Sequence, residues 1–209
     1  MQWQRTNSSY TFQSGGFSLS ANATEMANGI QVQKGTATLL QAFTIPSQDF
    51  AETRDSIYCR GADLFSRFEA KHQIAECYWR LQTADVDRIT LELIVSLHSR
   101  QHSPDPFLLR IENQSKPGWI QSDPNFNHSF YGPNCDASLS IVVHPSDISE
   151  TKLHSTTELN SISITPCFME PGVIRRIRLL LEVRNGRSTE QTLTDLMQRF
   201  LESPVPLAT

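Results

Sequence analysis

The chain has 209 residues, of which 38% are apolar and 19% charged, and its formal net charge is −4. That length supports one domain with a core of its own, and the slight excess of acids argues against bulk capture of nucleic acid or an anionic membrane. No apolar run approaches the ~18–20 residues that span a bilayer, so the expectation is a soluble protein.

Residues 1–28 are rich in Ser, Asn, Gln and Gly, with pulses of alternation at Tyr10/Phe12 and Phe17/Leu19/Ala21. They read as a first hairpin through Gly15-Gly16 or as a polar arm, ahead of a single β domain over 29–209. No apolar stretch of the kind a secretory signal needs follows the first residues, which predicts a cytoplasmic protein. From Ile30 the dominant period is two. Ile30 and Val32 alternate with Gln31 and Gln33, and Lys34-Gly35 marks a hairpin turn. Residues 57–68 read as one mixed strand with a bulge at Gly61. Next, Ala75, Cys77, Trp79 and Leu81 share one face, and Glu76, Tyr78 and Arg80 the other. The cleanest strand is Ile89-Leu91-Leu93-Val95-Leu97, interleaved with Thr90, Glu92, Ile94, Ser96 and His98. Further strands are predicted over 107–112, 138–144, 161–169 and 173–184.

The last element changes period. Ser188 and Gln191 fit a capping box, and Leu193, Leu196, Met197, Phe200 and Leu201 then recur at helical spacing. Pro204 and Pro206 stop a helix of about 188–202. Many short strands with no helical pattern between them exclude βαβ units, because parallel strands need long crossovers. The fold class expected is therefore all-β and mainly antiparallel. It is a sandwich or barrel of about eight or more strands with one C-terminal helix packed on it. Alternation on several strands gives each sheet one wet or ligand-facing side.

The four cysteines, Cys59, Cys77, Cys135 and Cys167, form no Cys-x-x-Cys pair. This removes the usual support for a zinc or redox motif and leaves reduced, free thiols as the expectation. Asn-x-Ser/Thr sequons at Asn7, Asn22, Asn113 and Asn127 go unread without secretion. No nucleophile elbow, phosphate loop or dinucleotide fingerprint is present. His98 and His102 have the spacing of a helical metal pair, but they lie where a strand runs into a Pro-rich loop, and an extended backbone separates their side chains. His128, His144 and His154 are scattered.

Two stretches could carry binding. Residues 116–136 set Trp119, Phe126, His128, Phe130 and Tyr131 among turn formers, beside Asp123, Asn125, Asn127 and Asp136. The rings either stack on a flat or sugar-like ligand or pin a long loop to the body. In 173–184, Arg176, Arg178, Glu182 and Arg184 lie opposite Ile177, Leu179, Leu181 and Val183. Fourteen arginines against four lysines favour fixed guanidinium forks. Such forks either hold an anion bidentately or pair across strands with acids such as Glu92 or Glu76.

Arg60-Gly61-Ala62-Asp63-Leu64, followed by Tyr78-Trp79-Arg80, resembles an uncharacterised bacterial family of the planctomycete type, and the resemblance implies no activity. Arg60, Asp63 and Arg80 also suit an ion-pair cluster with Glu92 within reach. The sequence thus predicts a non-catalytic binding module for a small ligand or a protein partner, with Trp119, His128, Tyr131, Arg176 and Arg178 as candidate contacts. It implies no cofactor, no metal, no nucleic acid and no membrane. Two rivals stand beside it. One is an enzyme with Arg60, Asp63, Glu92 and Arg178 converging inside an open barrel. The other is an assembly protein docking through its C-terminal helix.

Overall fold

The computed structural model describes residues 2–45, 51–52, 57–100, 102, 106–113, 120–121, 129–132, 136–155, 159–165 and 170–204. Along the chain run β1 (Gln4–Arg5), β2 (Ser9–Ser14), β3 (Phe17–Asn22), β4 (Ile30–Lys34), β5 (Ala37–Thr44), β6 (Ala51–Glu52), β7 (Tyr58–Arg60), β8 (Asp63–Glu69) and β9 (Gln73–Ala84). They continue with β10 (Arg88–Ser99), β11 (Phe107–Asn113), β12 (Ile120–Gln121), β13 (Ser129–Gly132), β14 (Ala137–Val143), β15 (Thr151–Ser155), β16 (Leu159–Ile164) and β17 (Ile174–Asn185). The helix α1 (Glu190–Glu202) closes the described chain.

The strands form two antiparallel sheets. One has eight strands in the order β1-β2-β3-β4-β5-β11-β16-β15; the other has nine, in the order β12-β13-β14-β17-β10-β9-β8-β6, with β7 also paired to β8. Of the two architectures the alternation allowed, the structure is the sandwich. Its filling is one cluster drawn from both sheets, including Leu19, Val32, Phe43 and Leu109 from the first and Trp79, Leu93, Leu139 and Leu179 from the second. The pleat explains the selection, since successive side chains alternate between this core and the outside.

The N-terminal residues make a hairpin, β2–β3, and its Tyr10, Phe12, Phe17 and Leu19 belong to the same core. Strand β5 departs from simple alternation. The register against β11 shifts between Arg110 and Ile111, and Phe43 sits there at a φ of 58°. The extra residue lets the neighbouring Ala42 and Phe43 both be buried, as a bulge permits. Gly29 backs directly onto this place. Its φ is 69°, and a Cβ there would lie 2.2 Å from the Ala42 carbonyl oxygen.

Four local expectations are corrected. Residues 57–68 are two strands rather than one with a bulge: Arg60 pairs with Asp63, and Gly61 takes a φ of 61° in the tight turn between them. A two-residue hairpin with Gly first accounts for that chemistry. The strand expected over 161–169 is β16, which starts earlier, and its partner β15 carries a single large apolar residue, too little to signal a strand. The long loop expected over 116–136 contains two strands among its described residues, β12 and β13, which extend the nine-stranded sheet from β14.

The fourth correction concerns the helix start. Thr189 is the N-cap, forming a capping box with Thr192, while the Ser188 backbone N–H is already committed to Ser138 Oγ at 2.8 Å. Helix α1 lies on the outer face of the nine-stranded sheet. Leu196 and Phe200 pack there with Val142 and Leu180, and Met197 joins at the margin. Leu193 is also buried, whereas Leu201 points to solvent. Among the described residues no helix is long and apolar enough to cross a membrane.

Candidate functional site

Three cross-strand rows organise the outer face of the nine-stranded sheet. Arg60, Asp63, Arg80 and Glu92 stand opposite one another across β7, β8, β9 and β10. Beside them, Tyr58, Phe65, Tyr78, Ile94 and Arg178 form a second row that reaches β17. Arg67, Glu76, Ser96 and Arg176 form the third. Alternate positions, even in β7, β9, β10 and β17 and odd in β8, put them all on one side of the pleat.

The charges are largely tied in pairs. Arg80 holds Asp63 bidentately at 2.8 and 2.7 Å, which raises the guanidinium above its ordinary value against the opposing effect of burial. Arg178 Nε donates to Glu92 Oε1 at 2.6 Å, with Arg178 only 4% exposed and Glu92 fully buried. Gln82 donates to the other Glu92 oxygen. The remaining Arg178 nitrogens donate to the Ser203 carbonyl and hydroxyl at 3.2 and 2.6 Å, and the guanidinium lies 4.9 Å over the Phe200 ring. Arg67 pairs with Glu69, and His98 Nε2 lies 3.3 Å from Glu76 Oε2.

Six of the residues singled out from sequence, Arg60, Asp63, Arg80, Glu92, Arg176 and Arg178, therefore share this face. They do not converge inside a barrel, because the sheet is open and they point away from the core. Arg60 also stands apart from the expected ion-pair cluster: it is exposed on β7, the far strand of the hairpin, while Asp63 turns to Arg80. Tyr131 shares a row with Ser138 and Arg184 further along the sheet, and its hydroxyl donates to Asp136 Oδ1 at 3.1 Å. Trp119, His128 and two of the thiols, Cys135 and Cys167, lie outside the described residues. Of the other thiols, Cys77 is buried, which raises it well above its ordinary value, and Cys59 is half-buried.

The outer face of the eight-stranded sheet has another character. A groove of about 670 Å³ runs over β3, β4, β5 and β11, lined by Ser20, Asn22, Gln31, Gln41, Thr44 and Arg110 together with the 27–29 turn. Its floor carries the neutral polar side chains Ser20, Gln31 and Gln41, paired across three neighbouring strands, and Thr11 on β2 continues the row beyond the groove. The amides are half engaged. Gln31 Oε1 accepts from Gln33 at 3.0 Å, Gln41 Nε2 donates to the Asn28 carbonyl, and Asn22 Oδ1 accepts from Thr24. Among the described residues this leaves the Gln31 and Asn22 amide N–H groups as donors and the Gln41 oxygen as an acceptor, side by side. Sequence reasoning missed these residues. In the sequence Gln31 is only the polar half of an alternating strand, and the one available signal is that its polar partners are amides and hydroxyls rather than charges.

No protein-family model and no curated protein sequence matches the chain. Solved structures do. A heparan sulfate lyase HepC mutant from Pedobacter heparinus superposes with a TM-score of 0.55 at 8% identity, over 90% of this chain and 37% of that one. A heparinase III matches with a TM-score of 0.53 at 6% identity, over 90% and 36%. A protein assigned as an aldose 1-epimerase from Escherichia coli K12 gives 0.49 at 10% identity, over 85% and 99%. The chain thus spans little more than a third of the two larger proteins, and at such identities the likeness is one of fold. The class defined is an antiparallel β-sandwich with a C-terminal helix on one face.

Proposed function

We propose that this chain is a non-catalytic β-sandwich binding module whose groove on the eight-stranded sheet takes a small polyhydroxylated ligand, such as a neutral saccharide segment. The observation that carries the reading is the adjacent pair Gln31 and Gln41, one presenting an unused amide donor and the other an unused acceptor on the floor of the groove. A sugar hydroxyl both donates and accepts, so neighbouring hydroxyls match such a pair, and a concave site with few fixed polar groups is the usual form of a small-ligand pocket.

The acid–base groups that an enzyme would need on the other face are engaged in structural pairs, which favours binding over catalysis. Both larger fold neighbours are named for heparan sulfate or heparin chemistry, which makes carbohydrates the sensible first panel. A cytoplasmic location and the bacterial family resemblance at Arg60–Leu64 stand as further proposals, as do ligand contacts at Trp119 and His128, which would belong to a site other than this groove.

Titration calorimetry with cello-, xylo- and malto-oligosaccharides tests it. The expected result is saturable binding that weakens by about tenfold or more in Gln31→Ala and in Gln41→Ala, as expected when a buried polar contact is lost. Absence of binding across the panel, or binding unchanged in both variants, would overturn the reading.

A further inference from the structure

The half of the nine-stranded sheet that α1 leaves uncovered carries a second arrangement. Tyr58 stacks on Phe65 with ring centroids 4.6 Å apart, and Tyr78 meets Phe65 edge-on at 4.8 Å. Phe65 is nearly covered by these contacts, while Tyr58 is 49% exposed, so its second face is open to solvent. The polar side chains that flank this aromatic row balance one another at Asp63–Arg80 and Arg67–Glu69. Two guanidiniums are left over: among the described residues neither Arg60 nor Arg176 has a carboxylate partner. Arg60 lies at the β7 end, next to Tyr58, and Arg176 lies on β17. Four strand steps of ~4.8 Å, with an offset of two rows along the strands at ~3.3 Å per residue, set the two about 23 Å apart.

We infer that this face is a second binding site, distinct from the groove on the opposite sheet, for an extended acidic oligosaccharide laid across the strands. Open aromatic faces stack on the C–H faces of sugar rings, with large contact area at little entropic cost. Guanidinium forks match planar carboxylate or sulfate groups bidentately. The separation of the two arginines requires an elongated ligand rather than a single small anion. A peptide would more naturally add to a free strand edge, whereas this site lies on the face of the sheet, with the open Tyr58 ring beside Arg60 at its β7 end.

Binding of the full chain is measured by calorimetry against oligogalacturonates, chondroitin sulfate oligosaccharides, neutral cello-oligosaccharides and poly-glutamate, at low and high salt. The first two distinguish carboxylate from sulfate as the recognised acid. The proposal expects one or both acidic sugars to bind, with affinity falling about tenfold or more in Tyr58→Ala and in Arg176→Gln, and falling with salt. Arg187→Gln removes an equal charge from an exposed position beyond the other end of β17 and should leave affinity within about twofold. Thermal melts establish that each variant is folded; Tyr58 is exposed and Arg176 half-buried. Failure of both acidic sugars to bind would overturn the proposal. So would binding insensitive to both site variants, equal loss in Arg187→Gln, or a preference for poly-glutamate.

Discussion

Arg178 reaches across from β17 to Glu92 on β10 at 2.6 Å and, with its other nitrogens, holds Ser203 at the end of α1. One buried guanidinium thus fastens the helix to the sheet. Removing one member of such a pair strands the other charge out of water, which costs more than the pair itself contributes. Arg178→Ala should therefore lose about 3–5 kcal/mol in urea unfolding. The double variant Arg178→Met/Glu92→Met should recover much of that loss, and failure to recover any would mean the charges act chiefly through packing.

The helix itself contributes through its apolar stripe. Leu196, 2% exposed, packs against Val142 and Leu180. Leu196→Ala should cost about 2–5 kcal/mol, whereas Leu201→Ala, at a site 46% exposed, should change stability by no more than about 0.5 kcal/mol. Thermal melts of the two proteins side by side provide the comparison.

Gly29 is the position at which backbone conformation and space coincide. A Cβ would sit 2.2 Å from Ala42 O at a φ of 69°, so the obstacle is main chain and cannot swing aside. Gly29→Ala should destabilise by more than about 2 kcal/mol, and the shift should be visible as a lowered unfolding midpoint. Gly35→Ala, at a turn with open space around it, should lose less.

Glu182 gives the protein a pH dependence with a definite sign. It is 2% exposed, and burial raises its carboxyl above the ordinary range even though Arg184, Arg88 and Arg199 and a hydrogen bond from Thr90 pull it down. Below the ordinary carboxylate value it is neutral in both folded and unfolded chains. As pH rises past that value the unfolded chain ionises first, so stability falls until the folded carboxyl ionises as well. Relative to Glu182→Gln, the wild type should therefore lose melting temperature with rising pH across this window. A difference that grows in the wild type's favour would contradict the assignment.

The extent to which the sequence announced this structure varied with the kind of signal each segment carried. Strand β10 alternates so regularly that its inward set, Ile89 through Leu97, was legible directly, as was the helical stripe of Leu193, Leu196 and Phe200. Tight turns were harder. Gly61 in a run of mixed residues is compatible with either a bulge or a hairpin, and only the pairing of Arg60 with Asp63 decides between them.

Burial of polar residues was out of reach. The even spacing of Arg178 and Glu92 marks their face, but their pairing across 86 residues and the return of the helix after β17 to seal them are tertiary events that spacing does not announce. The amides of the groove gave least warning, since Gln31 and Gln41 look like any solvated half of a strand until the sheet sets them side by side.

Because the pleat sends Gln31 outward and Val32 into the core, adjacent positions along one strand live under separate selective demands. The inward set can be held constant for folding while the outward set drifts toward new chemistry. With one sealed core between them, the two outward faces of the sandwich can diverge independently, so a lineage could refine or abandon either without renegotiating the other.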